Sequence, residues 1–122
     1  MNAKSIYNYR VSLARDIGLF GTGTRTNVLL LLSLLGESHA REIAQILDAN
    51  ASNVRKAIDS LEQIGVVSGV LKGRTRRISL NPRYAYSREL LPLLERMSTS
   101  HPGLVDAVAE LRRRPRRSGK AL

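Results

Sequence analysis

Residues 41–82 read REIAQILDANASNVRKAIDSLEQIGVVSGVLKGRTRRISLNP, and their spacing of apolar and polar positions predicts more of the architecture than any other segment. The first helix is expected over about residues 40–47, with Ser38 or His39 as its N-cap. Its apolar face would consist of Ile43, Ala44 and Leu47. The DAN sequence at 48–50 then predicts a short turn, because Asp and Asn both favour turns.

The segment after this turn predicts a second helix and a β-hairpin. Asn50 is a favourable N-cap for a helix over about residues 51–64. The residues expected on its buried face are Val54, Ala57, Ile58 and Leu61. Residues 66–71 and 76–80 then predict two strands joined by a turn that contains glycine. Pro82 closes the hairpin, because proline has no amide hydrogen with which to continue the ladder.

Further helices are predicted ahead of this unit. Spacings of three and four between apolar residues indicate an amphipathic helix over residues 5–20, which the GTGT sequence at 21–24 ends. Thr24 is expected to cap the next helix, which runs to about Leu35. The inward positions of that helix would be Val28, Leu31, Leu32 and Leu35.

The segment after the hairpin also predicts helices. Residues 87–97 indicate a leucine-rich helix, with which Pro92 is compatible only if it falls in the first turn. A linker at 98–103 and a last short helix over 104–114 follow. The fold class expected from all these elements is mainly α with one small antiparallel hairpin.

Positive charge is the strongest global signal in the chain. Lys and Arg number 20 against 10 acidic residues in 122, which gives a net charge of +10. The excess lies in a mid-chain block, residues 51–83, and in a tail, residues 112–122. Such an excess is typical of proteins that bind polyanions, nucleic acid first and anionic membranes second. The longest apolar run is far too short to span a bilayer, so no membrane association is expected.

Composition also excludes several kinds of chemistry. The chain contains no cysteine, which removes disulfides, cysteine-ligated zinc, iron–sulfur clusters and thiol catalysis. With only His39 and His101 available, we expect no metal site. No nucleophile–base pair is visible, so the chain is not expected to be an enzyme or to need a cofactor. The N-terminus lacks the apolar stretch of a secretory signal, which favours a cytoplasmic location.

Two short helices, a tight turn and a basic hairpin resemble a winged helix-turn-helix. At the level of residues, the segment resembles the DNA-binding part of ArsR-like transcriptional regulators, with MarR-like regulators as the second choice. The matching features are Ile43-Ala44, Leu47, Asn50, Val54, Ile58, Leu61, Gly65-Val66-Val67 and Gly73. The likeness covers roughly residues 18–82. It departs from the metal-sensing ArsR-like proteins, because their cysteine ligands are missing here.

This resemblance implies a recognition helix over residues 51–64 that enters the major groove of double-stranded DNA, and a basic wing over residues 70–78 that follows the backbone or the minor groove. The expected DNA contacts are Ala51, Ser52, Asn53, Arg55, Lys56, Lys72, Arg74, Arg76 and Arg77. Asn53 suits adenine and Arg55 suits guanine. Asp59 either lies beyond the contact zone or orients Arg55 at i,i+4 spacing.

Two other functions remain open at this point. An architectural or RNA-binding winged helix would use the same basic face without sequence-specific regulation. A small enzyme is the weaker rival, because the acidic residues are scattered along helix faces. The basic residues of the second helix and the hairpin also have an ordinary explanation as a solvated helix face and a charged sheet edge.

Four segments are expected along the chain: an N-terminal helix over 1–21, a DNA-binding domain over 22–82, C-terminal helices over 83–111 and a basic flexible tail over 112–122. We expect a homodimer built from the flanking helices. Its expected contacts are Leu13, Ile17, Phe20, Leu90, Leu94 and Met97. The alternative is that these helices complete a monomeric core. Any small-molecule or protein effector would bind within this fold or at its dimer seam, because no separate sensor domain is visible.

Overall fold

A computed structural model describes residues 18–113, in which five helices and a three-stranded sheet follow one another. After a 3₁₀ turn at Gly18–Phe20, the helices are α1 Gly23–Leu35, α2 Ala40–Leu47, α3 Ala51–Gln63, α4 Ser87–Ser98 and α5 Pro102–Arg113. The strands are β1 Glu37–Ser38, β2 Val67–Lys72 and β3 Thr75–Leu80. This is the winged helix-turn-helix architecture that the sequence predicts. Most of the helix predicted over 5–20 lies outside the described residues.

Helix α1 runs through the centre of the fold. Its residues 28–32 are all apolar and at most 1% exposed, so the helix is buried on every side rather than along one stripe. It packs against α3, α4, α5 and β3. A central apolar helix of this kind explains how so few aromatic residues suffice for the core. Leu35, predicted to face inward, is partly buried at the C-terminal end of α1.

The helix-turn-helix consists of α2 and α3, and its caps are those that the sequence predicts. Of the two candidates for the first cap, the structure selects His39, whose Nδ1 accepts a hydrogen bond from the Glu42 amide at 3.3 Å. The Asn50 side chain accepts from the amides of Ser52 at 2.7 Å and Asn53 at 3.3 Å. Between the helices, Asp48 takes a left-handed backbone conformation, with φ at 54°, which turns the chain sharply.

The sheet has the order β1-β3-β2, and both pairings are antiparallel. The hairpin register runs from Val67 opposite Leu80 to Lys72 opposite Thr75, with Gly73 at the turn. Strand β1 adds Glu37 opposite Ser79. The sequence did not predict β1, because two residues are too few to show the alternation of a strand.

Two local predictions were wrong. Thr22, not Thr24, caps α1: its Oγ1 accepts a hydrogen bond from the Arg25 amide at 3.1 Å. Pro92 is the sixth residue of α4 rather than part of its first turn. The missing amide hydrogen leaves the Arg88 carbonyl without its helical partner. Arg88 and Pro92 are both exposed, so solvent can reach this site, and the proline is therefore tolerated.

Helices α4 and α5 close over α1 and complete its burial. Leu94 of α4 is fully buried and Val108 of α5 is 4% exposed. The guanidinium of Arg112 donates a hydrogen bond to the carbonyl of Leu34 at 2.5 Å, which ties the end of α5 to the end of α1. Helix α5 begins at Pro102, earlier than predicted, because proline suits the first position of a helix. Across residues 18–113, no helix has the length and apolar character needed to cross a bilayer.

Candidate nucleic-acid interface

Helix α3 separates cleanly into a buried and an exposed face. The predicted buried residues, Val54, Ala57, Ile58 and Leu61, are all at most 6% exposed. Four of the predicted DNA contacts are exposed on the opposite side: Ser52, Asn53, Arg55 and Lys56. Ala51, the first residue of the helix, is half-buried and packs against the core. The exposed polar side chains thus lie on the N-terminal turns, where a recognition helix meets base edges.

The hairpin carries its four predicted contacts in three different environments. Arg74 follows Gly73 at the tip, where Gly73 takes a left-handed conformation with φ at 65°. Arg74 is exposed, and no acidic group of the described residues forms an ion pair with it. Its charge is therefore available to a partner molecule.

The next two wing cations share one carboxylate on strand β1. Glu37 Oε2 lies 3.4 Å from Lys72 Nζ and 3.5 Å from Arg77 Nε. The antiparallel register explains this cluster, because Glu37 pairs with Ser79, and alternate residues of a strand share a face with their cross-strand neighbours. Exposed pairs of this kind contribute on the order of 0–1 kcal/mol each, so both cations keep part of their attraction for an anion.

Arg76 has two acidic partners, and both lie on the recognition helix. Its Nη1 lies 3.1 Å from Asp59 Oδ1, and its Nη2 donates a hydrogen bond to Glu62 Oε1. The suggestion that Asp59 orients Arg55 is therefore wrong, because the carboxylate faces the wing. Three wing cations, Lys72, Arg76 and Arg77, are balanced by three acids. Sequence alone suggested a wing without compensating acids.

A groove of about 410 Å³ separates the helix-turn-helix from the wing. Its lining contains four arginines and no acidic residue: Arg41, Arg55, Arg74 and Arg76. Arg76 is engaged with the acids of α3, whereas the other three form no ion pair with any residue between 18 and 113. These three come from three elements, α2, α3 and the hairpin tip. The groove is therefore a positively charged channel beside the exposed face of α3.

Sequence analysis missed Arg41 as a member of this surface. The residue lies in the first turn of α2 and is exposed. Its position one residue after the start of the first helix of a helix-turn-helix was a usable signal, because that helix crosses the DNA backbone in complexes of this motif. The flanking acid Glu42 masked it, since the local charge sums to zero.

The predicted dimer contacts are divided between the core and the undescribed N-terminus. Leu13 and Ile17 lie outside the described residues. Phe20, Leu90 and Met97 are partly buried and pack against the core of the same chain. Leu94 is 0% exposed, so its assignment to an exposed seam is corrected: it is a core residue. For α4, the alternative in which the helix completes the core of a single chain is thus realised in part.

Other apolar side chains of α4 remain uncovered. Tyr86, at the N-cap of the helix, is 65% exposed, and Leu93, two turns later, is 42% exposed. The ring of Tyr86 stands edge-on to that of Tyr84, with 5.6 Å between the ring centres. Leu91 is 41% exposed on another side, where it lines a cleft of about 400 Å³ that α4 forms with Leu80 and Pro82. The helix therefore offers an exposed apolar stripe to a partner.

No group of three or more potential metal ligands occurs among the side chains of the described part of the chain. No protein-family model matches the sequence, and no curated protein is significantly similar to it. Solved structures with the same fold do exist.

A probable transcriptional regulator from Pseudomonas aeruginosa superposes with a TM-score of 0.57 at 19% identity, covering 88% of this chain and 80% of that one. A cysteine-to-serine mutant of MarR from E. coli gives 0.57 at 18% identity, covering 87% and 84%. The adhesin competence repressor AdcR from Streptococcus pyogenes gives 0.50 at 20% identity, covering 90% and 89%.

These similarities show that the chain has the winged-helix fold of the three regulators, extending over nearly its whole length and nearly the whole of theirs. The presence of MarR agrees with the second of the two predicted resemblances. The ArsR-like resemblance stays a prediction.

Proposed function

We propose that this protein is a sequence-specific, DNA-binding transcriptional regulator. The observation that carries the proposal is the acid-free groove with three unpaired arginines beside the exposed N-terminal face of α3. A surface with this charge and shape matches a helix inserted in the major groove with a phosphate backbone on its flank. Two similar structures are described as a probable transcriptional regulator and a repressor, which agrees with this function.

Base recognition is assigned to the exposed side chains of α3. Asn53 offers the donor and acceptor pair that matches adenine, and Arg55 offers the two donors that match guanine. Ser52 and Lys56 flank them and suit phosphate oxygens. The Asn50 cap fixes the first turn of the helix, so these side chains start from a defined backbone.

Phosphate contacts are assigned first to Arg41 and Arg74, which lie on opposite sides of the groove and have no acidic partner among the described residues. Lys72 and Arg77 contribute less, because each already interacts with Glu37. The wing therefore acts mainly through its tip. Phosphate contacts of this type fix the register of the protein on the duplex, whereas the side chains of α3 supply the sequence information.

A homodimer completes the proposal. One recognition helix reads only a few base pairs, which is too little to find one site in a genome. Two copies related by a two-fold axis would place two α3 helices about one helical turn apart on a palindrome. The exposed Tyr86 and Leu93 supply apolar surface for such a contact on the described part of the chain. The N-terminal segment before residue 18 is expected to contribute as well.

Selection of bound duplexes from a random pool tests this function. A regulator should enrich one motif with two half-sites about 10 base pairs apart, centre to centre. Enrichment of a single half-site would retain sequence recognition and remove the dimer. A pool that stays random through the selection would contradict sequence-specific binding and favour an architectural or RNA-binding role.

A further inference from the structure

We propose that Arg76 is a positioning residue that clamps the wing to the recognition helix, and that it is not a phosphate contact. The inference rests on the proposed function, because it concerns how the DNA-binding surface is held in shape. It reverses the assignment that charge alone suggests for this arginine. The Arg76–Asp59–Glu62 cluster is called the wing clamp below.

The geometry of the wing clamp joins two elements that are separate in sequence. Arg76 lies on β3, and the carboxylates of Asp59 and Glu62 lie 17 and 14 residues earlier on successive positions of one face of α3. One guanidinium reaches both through different nitrogens. Arginine suits this role because its planar fork presents several donors in a fixed arrangement, which a lysine would not.

Gly69 is an independent sign that the wing clamp is built into the fold. A Cβ at this position would lie 3.1 Å from Arg76 Nε and 3.3 Å from both Glu62 Oε2 and Ile78 Cδ1. The backbone of Gly69 does not take a left-handed conformation, so conformational freedom does not explain the glycine. Its missing side chain instead leaves room for the arginine to cross β2 and reach the helix.

The charges explain why the wing clamp matters for binding DNA. Asp59 and Glu62 are two acids on the helix that is proposed to enter the major groove, and unpaired they would repel the phosphates on the side of the wing. Arg76 offsets this charge. It also fixes the hairpin relative to α3 and so sets where the unpaired Arg74 at the tip can reach. Arg76 thus acts through Arg74 and α3.

A distance measurement without DNA tests the wing clamp separately from the proposed function. The chain contains no cysteine, so spin labels can be placed at Val70→Cys on the wing and Asp106→Cys on α5. Val70 pairs with Arg77, so its side chain lies on the sheet face opposite Arg76. The label-to-label distance distribution should be narrow in the otherwise unchanged protein. It should broaden in Arg76→Gln and stay narrow in the control Arg74→Gln.

Two further variants guard against simple misfolding of Arg76→Gln. Gly69→Ala keeps every charge but crowds the arginine, and should broaden the distribution as well. The swapped pair Arg76→Glu with Glu62→Arg should narrow it again relative to Arg76→Glu alone. An unchanged distribution in both Arg76→Gln and Gly69→Ala would overturn the wing clamp, whether or not the protein binds DNA.

Binding to the selected duplex at several salt concentrations gives the second readout. Arg74→Gln should reduce the slope of log affinity against log salt by about 0.9, the value for one lost phosphate contact. Arg76→Gln should weaken binding roughly tenfold and leave the slope unchanged. A slope reduced by about 0.9 in Arg76→Gln would make this residue a phosphate contact and overturn the proposal. If the unaltered protein binds no duplex, the proposed function fails, and the spin-label distances still decide the wing clamp.

Discussion

Arg55 and Arg76 show how two residues of the same type acquire different roles from their surroundings. Helical spacing places Arg55 on the exposed face of α3, and the structure agrees. Spacing gives no information about Arg76, because its acidic partners are 14 and 17 residues away and meet it only once the hairpin folds against α3. Sequence therefore predicted which cations reach the surface region but could not predict which of them are already paired.

Replacing Arg55 by Ala should lower the affinity for the selected duplex by about 1–3 kcal/mol and relax the preference at one base position. The reason is that Arg55 is exposed and forms no ion pair among the described residues, so its donors are available to a base. Arg88→Ala, on α4 away from the groove, is the matched control and should change neither value. Equal losses on specific and random duplexes would make Arg55 a phosphate contact.

Leu94 carries a prediction about stability. Leu94→Ala should lower the free energy of unfolding by about 2–5 kcal/mol, because the side chain is fully buried against α1 and leaves a cavity. Leu91→Ala removes the same atoms from a side chain that is 41% exposed and should cost much less. Urea unfolding followed by circular dichroism measures both. Similar losses in the two variants would mean that α4 does not pack as described.

At the scale of elements, sequence succeeded where a signal is local. The caps at His39 and Asn50, the turn after α2 and the Gly73 hairpin all follow from residues within three positions of one another. Strand β1 escaped notice because its two residues become a strand only by pairing with β3, more than 40 residues later. Pro92 was misplaced because its tolerance depends on solvent reaching the freed carbonyl of Arg88.

The start of the recognition helix depends on Asn50. Asn50→Ala should destabilise the protein by about 1 kcal/mol, because the amides of Ser52 and Asn53 both lose their acceptor. Asn50→Asp keeps a side-chain oxygen in place and should remain close to the original stability. Thermal unfolding of the two variants gives the comparison, and an alanine variant as stable as the aspartate variant would show that the cap contributes nothing.

At the scale of the whole molecule, the described residues already form a closed core around α1. Sequence could not decide between a dimer seam and a completed monomer for α4, because both bury leucines at the same spacing. The structure assigns Leu94 to the core and leaves Tyr86 and Leu93 exposed. The proposed seam therefore shifts by one position along α4 relative to the sequence-based prediction, while Leu13 and Ile17 stay predictions.

The proposed dimer gives a mass that can be measured directly. Sedimentation at micromolar concentration should give twice the chain mass of 13.5 kDa. Leu93→Glu should shift the mass to that of one chain, because a charge would be buried in the seam without a partner. Leu91→Glu places the same charge on another side of α4 and should remain dimeric. A single-chain mass for the unaltered protein would remove the dimer.

The central claim is that this winged helix reads DNA sequence, and competition binding at about 150 mM salt tests it most directly. The selected duplex, a random duplex of equal length and a structured RNA compete for the same protein. A sequence-specific regulator should prefer the selected duplex by at least about a thousandfold. Affinities within a few-fold of one another for all three nucleic acids would contradict the claim.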